Sequence, residues 1–495
     1  MLDPIALKQK FQTLKQFEGL NHALIERLEA LLPQLDAWDL HRLNPLELAK
    51  NHDFELLALL DILIYAVKIG IFDFFWTPIC PGCGGIEYTS DSLNALKKGS
   101  IQCTTCVMEI ELDLAQHIEV AFHLNSAMGD FSQETSPFSS FENYLRYYFS
   151  AYLQRSEVLQ DYIQRHFKGF RVLEPDQQLE LQLETQPQTQ WRLINLQSHS
   201  QLVLRVADAD SPTPSLSALQ SDLVASGFSP SEQILSAGHT HFWIKNHESV
   251  ARVLTLWTAD FEKFHQILSE HPNAYRPFLT AQMLLNTQSF RDLFKIQALD
   301  PDLHLKIGSQ TVLFSDLKGS TAMYEQKGDY QAYQWVQRHF HALTESTRQH
   351  AGSVVKTMGD AIMATFSRPQ DGILAALEML ARIQSLQHEN SPEGMTLGLK
   401  LGLHQGPVLA VNANDRLDYF GQTVNLAARV QGLAEAGELW LSESMIDLAK
   451  PLLQQAHFQW ERREANLKGI TEKTVVYRCW PVEPLTISRQ ASVRF

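Results

Sequence analysis

The run TVLFSD ends on Asp316 and is followed at once by Leu317, Lys318, Gly319, Ser320 and Thr321. An acid at a strand end, with Gly319, Ser320 and Thr321 opening a helix, sets a carboxylate for a hard cation beside backbone N–H groups that face an anion. An aspartate in that place can equally cap the helix. A second acid, Asp360, shares with Gly359 the turn of an expected β-hairpin, KTMGDAIMATF. Turn aspartates ordinarily bond their own backbone, but here Lys356 interrupts the apolar arm just before the turn. If the hairpin pairs beside the first strand, Asp360 and Asp316 converge. Two carboxylates a few ångströms apart repel unless a divalent cation lies between them. With a phosphate-cradling corner they describe a two-metal phosphoryl-transfer site.

Four of the five cysteines form a second constellation, Cys80-x-x-Cys83 and Cys103-x-x-Cys106. This spacing suits two knuckles that place thiolates around one structural Zn²⁺ per chain, a reading favoured over redox chemistry. The fifth, Cys479 in VVYRCW, reads as a buried strand residue.

These groups need elements to position them. At 495 residues the chain is too long for one core and is expected to be a multidomain α+β protein. Residues 1–75 read as helices, with a possible winged-helix-like unit towards their end, and 76–125 as a zinc ribbon. Residues 126–300 read as a β-rich domain with flanking helices. In it FENYLRYYFSAYLQRSEVLQDYIQRHF and RPFLTAQMLLNTQSFRDLF look helical, and DADSPTPSLS is a loop. The span 301–482 should form the catalytic domain, and 483–495 a tail. Within the catalytic span the order is strand, helix, hairpin, helix, strand, helix, strand. Such a βαββαβ order is ferredoxin-like. In its first helix Ala332, Val336, Phe340 and Leu343 share a face, and Gly352 is placed to close the C-terminus.

Taken together, VLFSDLKGST, VVKTMGDAIMATF and DYFGQTVNLAAR resemble, in this order and spacing, the catalytic domain of class III nucleotidyl cyclases over roughly residues 306–482. The resemblance implies conversion of a nucleoside triphosphate to a 3′,5′-cyclic monophosphate and pyrophosphate by head-to-tail homodimers with shared sites. It implies two Mg²⁺ or Mn²⁺ ions per site, held by Asp316, Asp360 and the Leu317 carbonyl. Lys356 and Asp418 match the base-reading positions. A lysine and an aspartate complement the acceptor and donor of adenine, and guanine reverses both groups. The substrate implied is therefore ATP. Asn425 would orient the ribose, and Arg429, one helical turn on, would stabilise charge on the transferring phosphoryl group. Lys468, in NLKGI, resembles a phosphate-contacting lysine, although a solvated lysine fits the same residue. The N-terminal part resembles an uncharacterised region that precedes some bacterial cyclase domains, with SFRDLF part of the pattern, and so implies regulation by a ligand or partner.

Composition narrows the alternatives. A net charge of −15 opposes broad affinity for nucleic acid or anionic membrane. Between Trp76 and Glu119 only Lys97 and Lys98 stand against six acids, opposite to a phosphate-binding face. A DNA-binding regulator is thus disfavoured. The most apolar window carries Asp61, Lys68 and Asp73, which suits a buried helix better than a membrane span. No secretory signal is visible at the start, so a cytoplasmic protein is expected. The expected function is adenylate cyclase; the alternatives are guanylate cyclase and a non-catalytic cyclase-fold sensor.

Overall fold

Helix-capping side chains start most of the N-terminal helices. Asp3 accepts from the Ile5 and Ala6 amides, Asn21 from Leu24, Asp36 from Asp39 and Asn44 from Leu46. They open α1 (Pro4–Leu14), α2 (His22–Leu31), α3 (Ala37–His41) and α4 (Pro45–His52), and Glu55 opens α5 (Leu56–Lys68). Each satisfied amide is worth roughly 1 kcal/mol. The computed structural model describes residues 2–93, 99–187, 189–207, 219–259, 261–294, 305–390, 398–413, 416–469 and 473–483. The DADSPTPSLS loop, Lys97, Lys98 and most of the expected tail lie outside these residues.

After α5, β1 (Phe72–Pro78) pairs antiparallel with β4 (Ile118–Leu124). Between them come the first cysteine knuckle and then the short hairpin of β2 (Ser100–Gln102) and β3 (Glu109–Glu111), whose loop carries the second. The long aromatic helix expected next is instead two helices, α6 (Phe141–Tyr148) and α7 (Glu157–His166), separated by β5 (Leu153–Gln154). The break has a tertiary cause: the Ser150 amide donates to the Gly84 carbonyl and its hydroxyl to buried Glu119.

The β-rich middle is a sandwich. One sheet orders β11 (Gly227–Ser229), β10 (Gln220–Val224), β13 (Gly238–Asn246) and β7 (Gln178–Thr185). The other orders β12 (Glu232–Leu235), β9 (Ser200–Val206), β8 (Gln190–Asn195), β14 (Arg252–Ala259) and β6 (Phe167–Leu173). Alternate residues of both, among them Leu183, Phe242 and Ile244 against Leu193, Leu204 and Leu254, close one core. Helix α8 (Phe261–Glu270) and β15 (Ala274–Tyr275) then return to the knuckles. The next expected helix is likewise split, into α9 (Ala281–Leu285) and α10 (Gln288–Leu293).

The C-terminal domain comprises β16 (Leu305–Lys318), α11 (Ser320–Gln349), β17 (Gly352–Met358), β18 (Ala361–Phe366) and α12 (Pro369–Asn390). There follow β19 (Gly398–Ala413), β20 (Arg416–Phe420), α13 (Gln422–Gln431), β21 (Glu438–Ser442), α14 (Ile446–Gln455), β22 (Phe458–Ala465) and β23 (Thr474–Pro481). The sheet order β17-β18-β16-β19 is the ferredoxin-like core. Strands β21, β23 and β22 extend it, and buried Cys479 lies in β23. Helix α11 kinks at Gly328, and its face of Ala332, Val336 and Leu343 is buried with Phe340 beside it. Gly352 does not close this helix. Ala351 takes the left-handed conformation (φ 52°), and Gly352 begins β17. A Cβ on Gly352 would lie 2.2 Å from the Phe366 ring, so the glycine is required for packing.

One face of the catalytic sheet carries Leu313, Ile362, Ala364 and Leu401 against α11, α12 and α14. The opposite face carries Val312, Phe314, Met363, Val408 and Ala410 into a core shared with α13, the N-terminal helices and α9–α10. The two halves of the chain therefore share a continuous apolar core.

Candidate active site and metal centre

Strand register decides which face the catalytic candidates occupy. Phe314 pairs with Met363 of β18, and Met363 pairs with Lys356 of β17. Paired residues point to one side, and so do residues two apart on a strand. Lys356 and Asp316 therefore lie on the sheet face that packs against α13, away from α11 and α12. The hairpin closes through Gly359 (φ 65°) and Asp360 between paired Met358 and Ala361. A left-handed residue there explains the glycine. The Ile362 amide donates to Ser315 Oγ, tying the turn beside the strand end that holds Asp316.

The expected cap at Asp316 is absent. Gly319 (φ 94°) is the N-cap of α11, with no side-chain capping bond. Asp316 Oδ2 instead accepts from Lys400 Nζ at 2.7 Å, across the β16–β19 pair. Sequence reasoning missed Lys400, although it interrupts an apolar strand just as Lys356 does. The first-turn backbone beyond Gly319 and Ser320 is the expected phosphate corner; the Thr321 side chain lies outside the described residues. Leu317 is buried, and its side chain belongs to the small core under α11.

Asp360 carries the site's clearest unmet demand. Its Oδ2 is buried and has no hydrogen-bond partner. Leaving such an oxygen unsatisfied costs about 1–3 kcal/mol, and a cation beside Asp316 and Asp360 would remove that penalty. The residues present thus fit a divalent metal. His339 of α11 contacts the Asp360 carbonyl at 3.2 Å, and burial lowers the pKa of its imidazole to about 4.

Lys356 and Asp418 meet directly: Nζ donates to Oδ2 at 2.6 Å. The other carboxylate oxygen, Oδ1, accepts from the Tyr419 amide at 2.8 Å. Two further residues that sequence reasoning did not single out hold the strands of this pair. Gln288 Oε1 accepts from the Val354 amide at 2.8 Å, next to the bulge that precedes Lys356. Arg291 donates to the Leu417 carbonyl at 3.2 Å and lies over the Tyr419 ring at 5.3 Å. Helix α13 presents Asn425, exposed, and Arg429, half-buried, one turn apart. Exposed Lys468 adjoins Gly469, whose Cα region lies against the Arg429 guanidinium.

The cysteine site is equally well defined. The ligand atoms of Cys80, Cys83, Cys103 and Cys106 lie within 4.8 Å of one another, and all four residues are buried. Cys80 and Cys106 sulfurs are 3.5 Å apart, as are those of Cys83 and Cys103. Tetrahedral thiolates at the usual Zn–S length stand about 3.8 Å apart, so four sulfurs at these separations fit zinc. Each knuckle turns through a backbone bond, Gly84 N–H to the Cys80 carbonyl and Val107 N–H to the Cys103 carbonyl. The Cys83 thiol is pushed well above its ordinary range, first by hydrogen bonds with Cys103, Cys106 and Cys80 and then by burial. A bound cation reverses that preference by favouring thiolate.

Comparison with known proteins gives the families of the two halves. Residues 304–479 match the family described as "Adenylate and Guanylate cyclase catalytic domain". The chain carries a class III cyclase domain. Residues 6–292, more than half of the chain, match "Family of unknown function (DUF5939)", and the chain belongs to that family too. Among curated relatives, an adenylate cyclase of Lachancea kluyveri is 29% identical over 177 residues, 32% of this chain and 10% of that protein. Adenylate cyclase 2 of Rhizobium meliloti is 30% identical over 132 residues, 24% of this chain and 36% of that protein. The receptor-type guanylate cyclase Gyc76C of Drosophila melanogaster is 30% identical over 170 residues, 32% of this chain and 11% of its own length. The cyclase match thus spans well under half of each of these relatives. Among solved structures, the adenylyl cyclase CyaB of P. aeruginosa is 21% identical and aligns with a TM-score of 0.33, covering 37% of this chain and 99% of that one. Among the described residues no helix is long and apolar enough to cross a membrane.

Proposed function

We propose that the chain is an adenylate cyclase that converts ATP to 3′,5′-cyclic AMP and pyrophosphate, in a homodimer whose two sites are shared head to tail. The observation that carries the ATP reading is the contact of Lys356 with Asp418, which sets one donor and one acceptor side by side. Adenine offers an acceptor at N1 and a donor at its amino group, so it can bridge such a pair. The Tyr419 amide holds Asp418 Oδ1 and leaves Oδ2 to act.

Asp316 and Asp360, with the Leu317 carbonyl, would hold two Mg²⁺ or Mn²⁺ ions. Such ions, when bound, activate the ribose 3′-hydroxyl and neutralise the triphosphate. The backbone at Gly319, Ser320 and Thr321 cradles phosphate, Asn425 orients the ribose, and Arg429 balances charge on the transferring phosphoryl group. Lys468, beside Arg429, adds a second cation there. Each site takes the acids from one chain and Lys356, Asp418, Asn425 and Arg429 from the other. The four cysteines hold one structural zinc, and the N-terminal family region regulates the domain in the cytoplasm. The domain boundaries we assign are 1–75, 76–125, 126–300, 301–482 and 483–495.

The test is product identity from purified full-length chain given ATP or GTP with Mn²⁺. Cyclic AMP from ATP is expected. Cyclic GMP from GTP alone would mean a guanylate cyclase, and no product from either would mean a cyclase-fold sensor.

A further inference from the structure

A cavity of about 580 Å³ opens where the cysteine knuckles, α7 and the sandwich meet. That volume is in the range that accepts one small organic molecule. Its wall is largely apolar, supplied by Phe149, Leu159, Ile163, Ile194, Trp257 and Phe264. Gln154, Gln160 and Gln164 line it too and are exposed, so they mark the mouth.

Two observations give the chemistry of an occupant. No carboxylate is among the described residues that line the cavity, although the chain as a whole is strongly acidic. Two guanidinium groups line it, those of Arg155 and Arg192. Arg192 is built into the wall, donating to the Thr104 and Thr105 carbonyls at 3.1 and 2.8 Å and to Gln201. Arg155 instead lies over the Phe149 ring at 5.8 Å, and its attractive electrostatic neighbours are the Cys83 thiol and the Tyr275 hydroxyl rather than an acid.

We infer that this cavity binds a small organic carboxylate with an apolar body, its anionic group taken by Arg155. A neutral apolar molecule would leave the Arg155 guanidinium with no anion in the cavity. A larger polyanion would lose the apolar contacts that form most of the wall. The site belongs to the N-terminal family region and stands apart from the cyclase chemistry, so it holds whichever nucleotide that domain prefers.

The test uses the full-length, zinc-loaded chain and the fluorescent aryl sulfonate 8-anilinonaphthalene-1-sulfonate as reporter. One bound probe per chain is expected, and Ile163→Trp, which fills the cavity, should abolish its signal. Displacement is then compared for indole-3-acetate against indole-3-acetamide, and for octanoate against octanamide. These pairs separate an aromatic from an aliphatic occupant. In at least one pair the acid should displace the probe at a concentration at least about tenfold lower than its amide, as loss of a charge-assisted hydrogen bond implies. Arg155→Gln should erase that preference with the melting temperature unchanged. Equal displacement by acid and amide in both pairs overturns the inference. So does a preference that survives Arg155→Gln, which would assign the Arg155 charge to balancing the thiolate cluster. A probe signal retained in folded Ile163→Trp would place the probe elsewhere and likewise overturn it.

Discussion

Replacing Lys400 with methionine should tighten metal binding at the catalytic centre. Lys400 Nζ stands 2.7 Å from Asp316 Oδ2, with the two side chains 22% and 36% exposed. A divalent ion that takes Asp316 Oδ2 as a ligand competes with this ammonium. At that separation two unit charges attract by roughly 1.5 kcal/mol in bulk water and roughly 6 kcal/mol at an effective dielectric of 20. Desolvation and lost side-chain freedom offset most of this in partly exposed pairs, leaving a net of up to about 1 kcal/mol. Methionine keeps the aliphatic packing and removes the charge. The apparent dissociation constant for Mn²⁺ in the nucleotide-free protein should therefore fall by up to about fivefold, at about 1.4 kcal/mol per factor of ten. Paramagnetic resonance of free Mn²⁺, titrated against wild type and Lys400→Met, reads this directly. The gain should shrink in high salt, because the competing pair is itself screened. An unchanged or weaker affinity in a folded Lys400→Met would refute the reasoning. It would mean either that Asp316 is not a metal ligand or that Lys400 assists rather than competes.

Asp360→Asn should abolish cyclisation, lowering kcat by at least about 100-fold through loss of metal-borne charge stabilisation. Because Asp360 Oδ2 is buried without a partner, the same change should leave the melting temperature equal or higher, and a cooperative loss of stability would mark the residue as structural. Lys356→Glu combined with Asp418→Cys changes both polarities at the base-reading contact, so the ratio of kcat/KM for ATP over GTP should fall; an unchanged ratio excludes these residues from base reading. The purified chain should contain about one zinc, and chelation should disorder the N-terminal half before the catalytic fold, seen as an early thermal transition; metal analysis finding no zinc would overturn that site. Finally, Asp316→Ala and Arg429→Ala homodimers should both be nearly inactive, while co-expressed chains should recover roughly a quarter of wild-type activity, since about half of randomly mixed dimers keep one intact site. Tag-verified heterodimers as inactive as their parents would show that the sites are not shared.

The parts of the molecule legible in its sequence are those set by local chemistry. The hairpin could be read because Gly359 and Asp360 form a turn between alternating apolar arms, and the knuckles because thiol spacing is itself the constraint. Where long-range contacts override local preference, the reading failed. The aromatic run over residues 141–166 keeps helical periodicity throughout, yet Ser150 is drawn into contact with Gly84 and Glu119 and splits it. Nothing near Ser150 in the sequence announces those partners. Similarly, Asn286 divides α9 from α10. Its amide donates to Ser367 Oγ at 2.9 Å, while its Oδ1 accepts from Thr365 and Gln310. Gly352 looked like a helix terminator because glycine usually is one there, whereas the Phe366 ring dictates it. Lys400 gave the same signal as Lys356, a lone lysine in an apolar strand, but it lacked a turn acid nearby to draw attention.

The split between α9 and α10 has a consequence for how the two halves of the chain communicate. Because α10 starts afresh after Asn286, its own face meets the catalytic sheet. Gln288 reaches the Val354 amide of β17, and Arg291 reaches both sides of Asp418 through the Leu417 carbonyl and the Tyr419 ring. Between them, Ser289 donates to Asp61 of α5 at 2.7 Å, and Asp61 also accepts from Arg348 near the end of α11. Burial raises the Asp61 carboxyl above its usual range, while Ser289 and Arg348 hold it down. One short helix thus touches the N-terminal helical core and both strands that carry Lys356 and Asp418, and it is linked to the first catalytic helix through Asp61. A packed core passes small shifts on because it resists compression. A shift of α10 is passed to β17 through the Gln288 bond and to β20 through Arg291, the strands that carry Lys356 and Asp418. The contact between those two residues is therefore the part of the catalytic site most directly held by the N-terminal half.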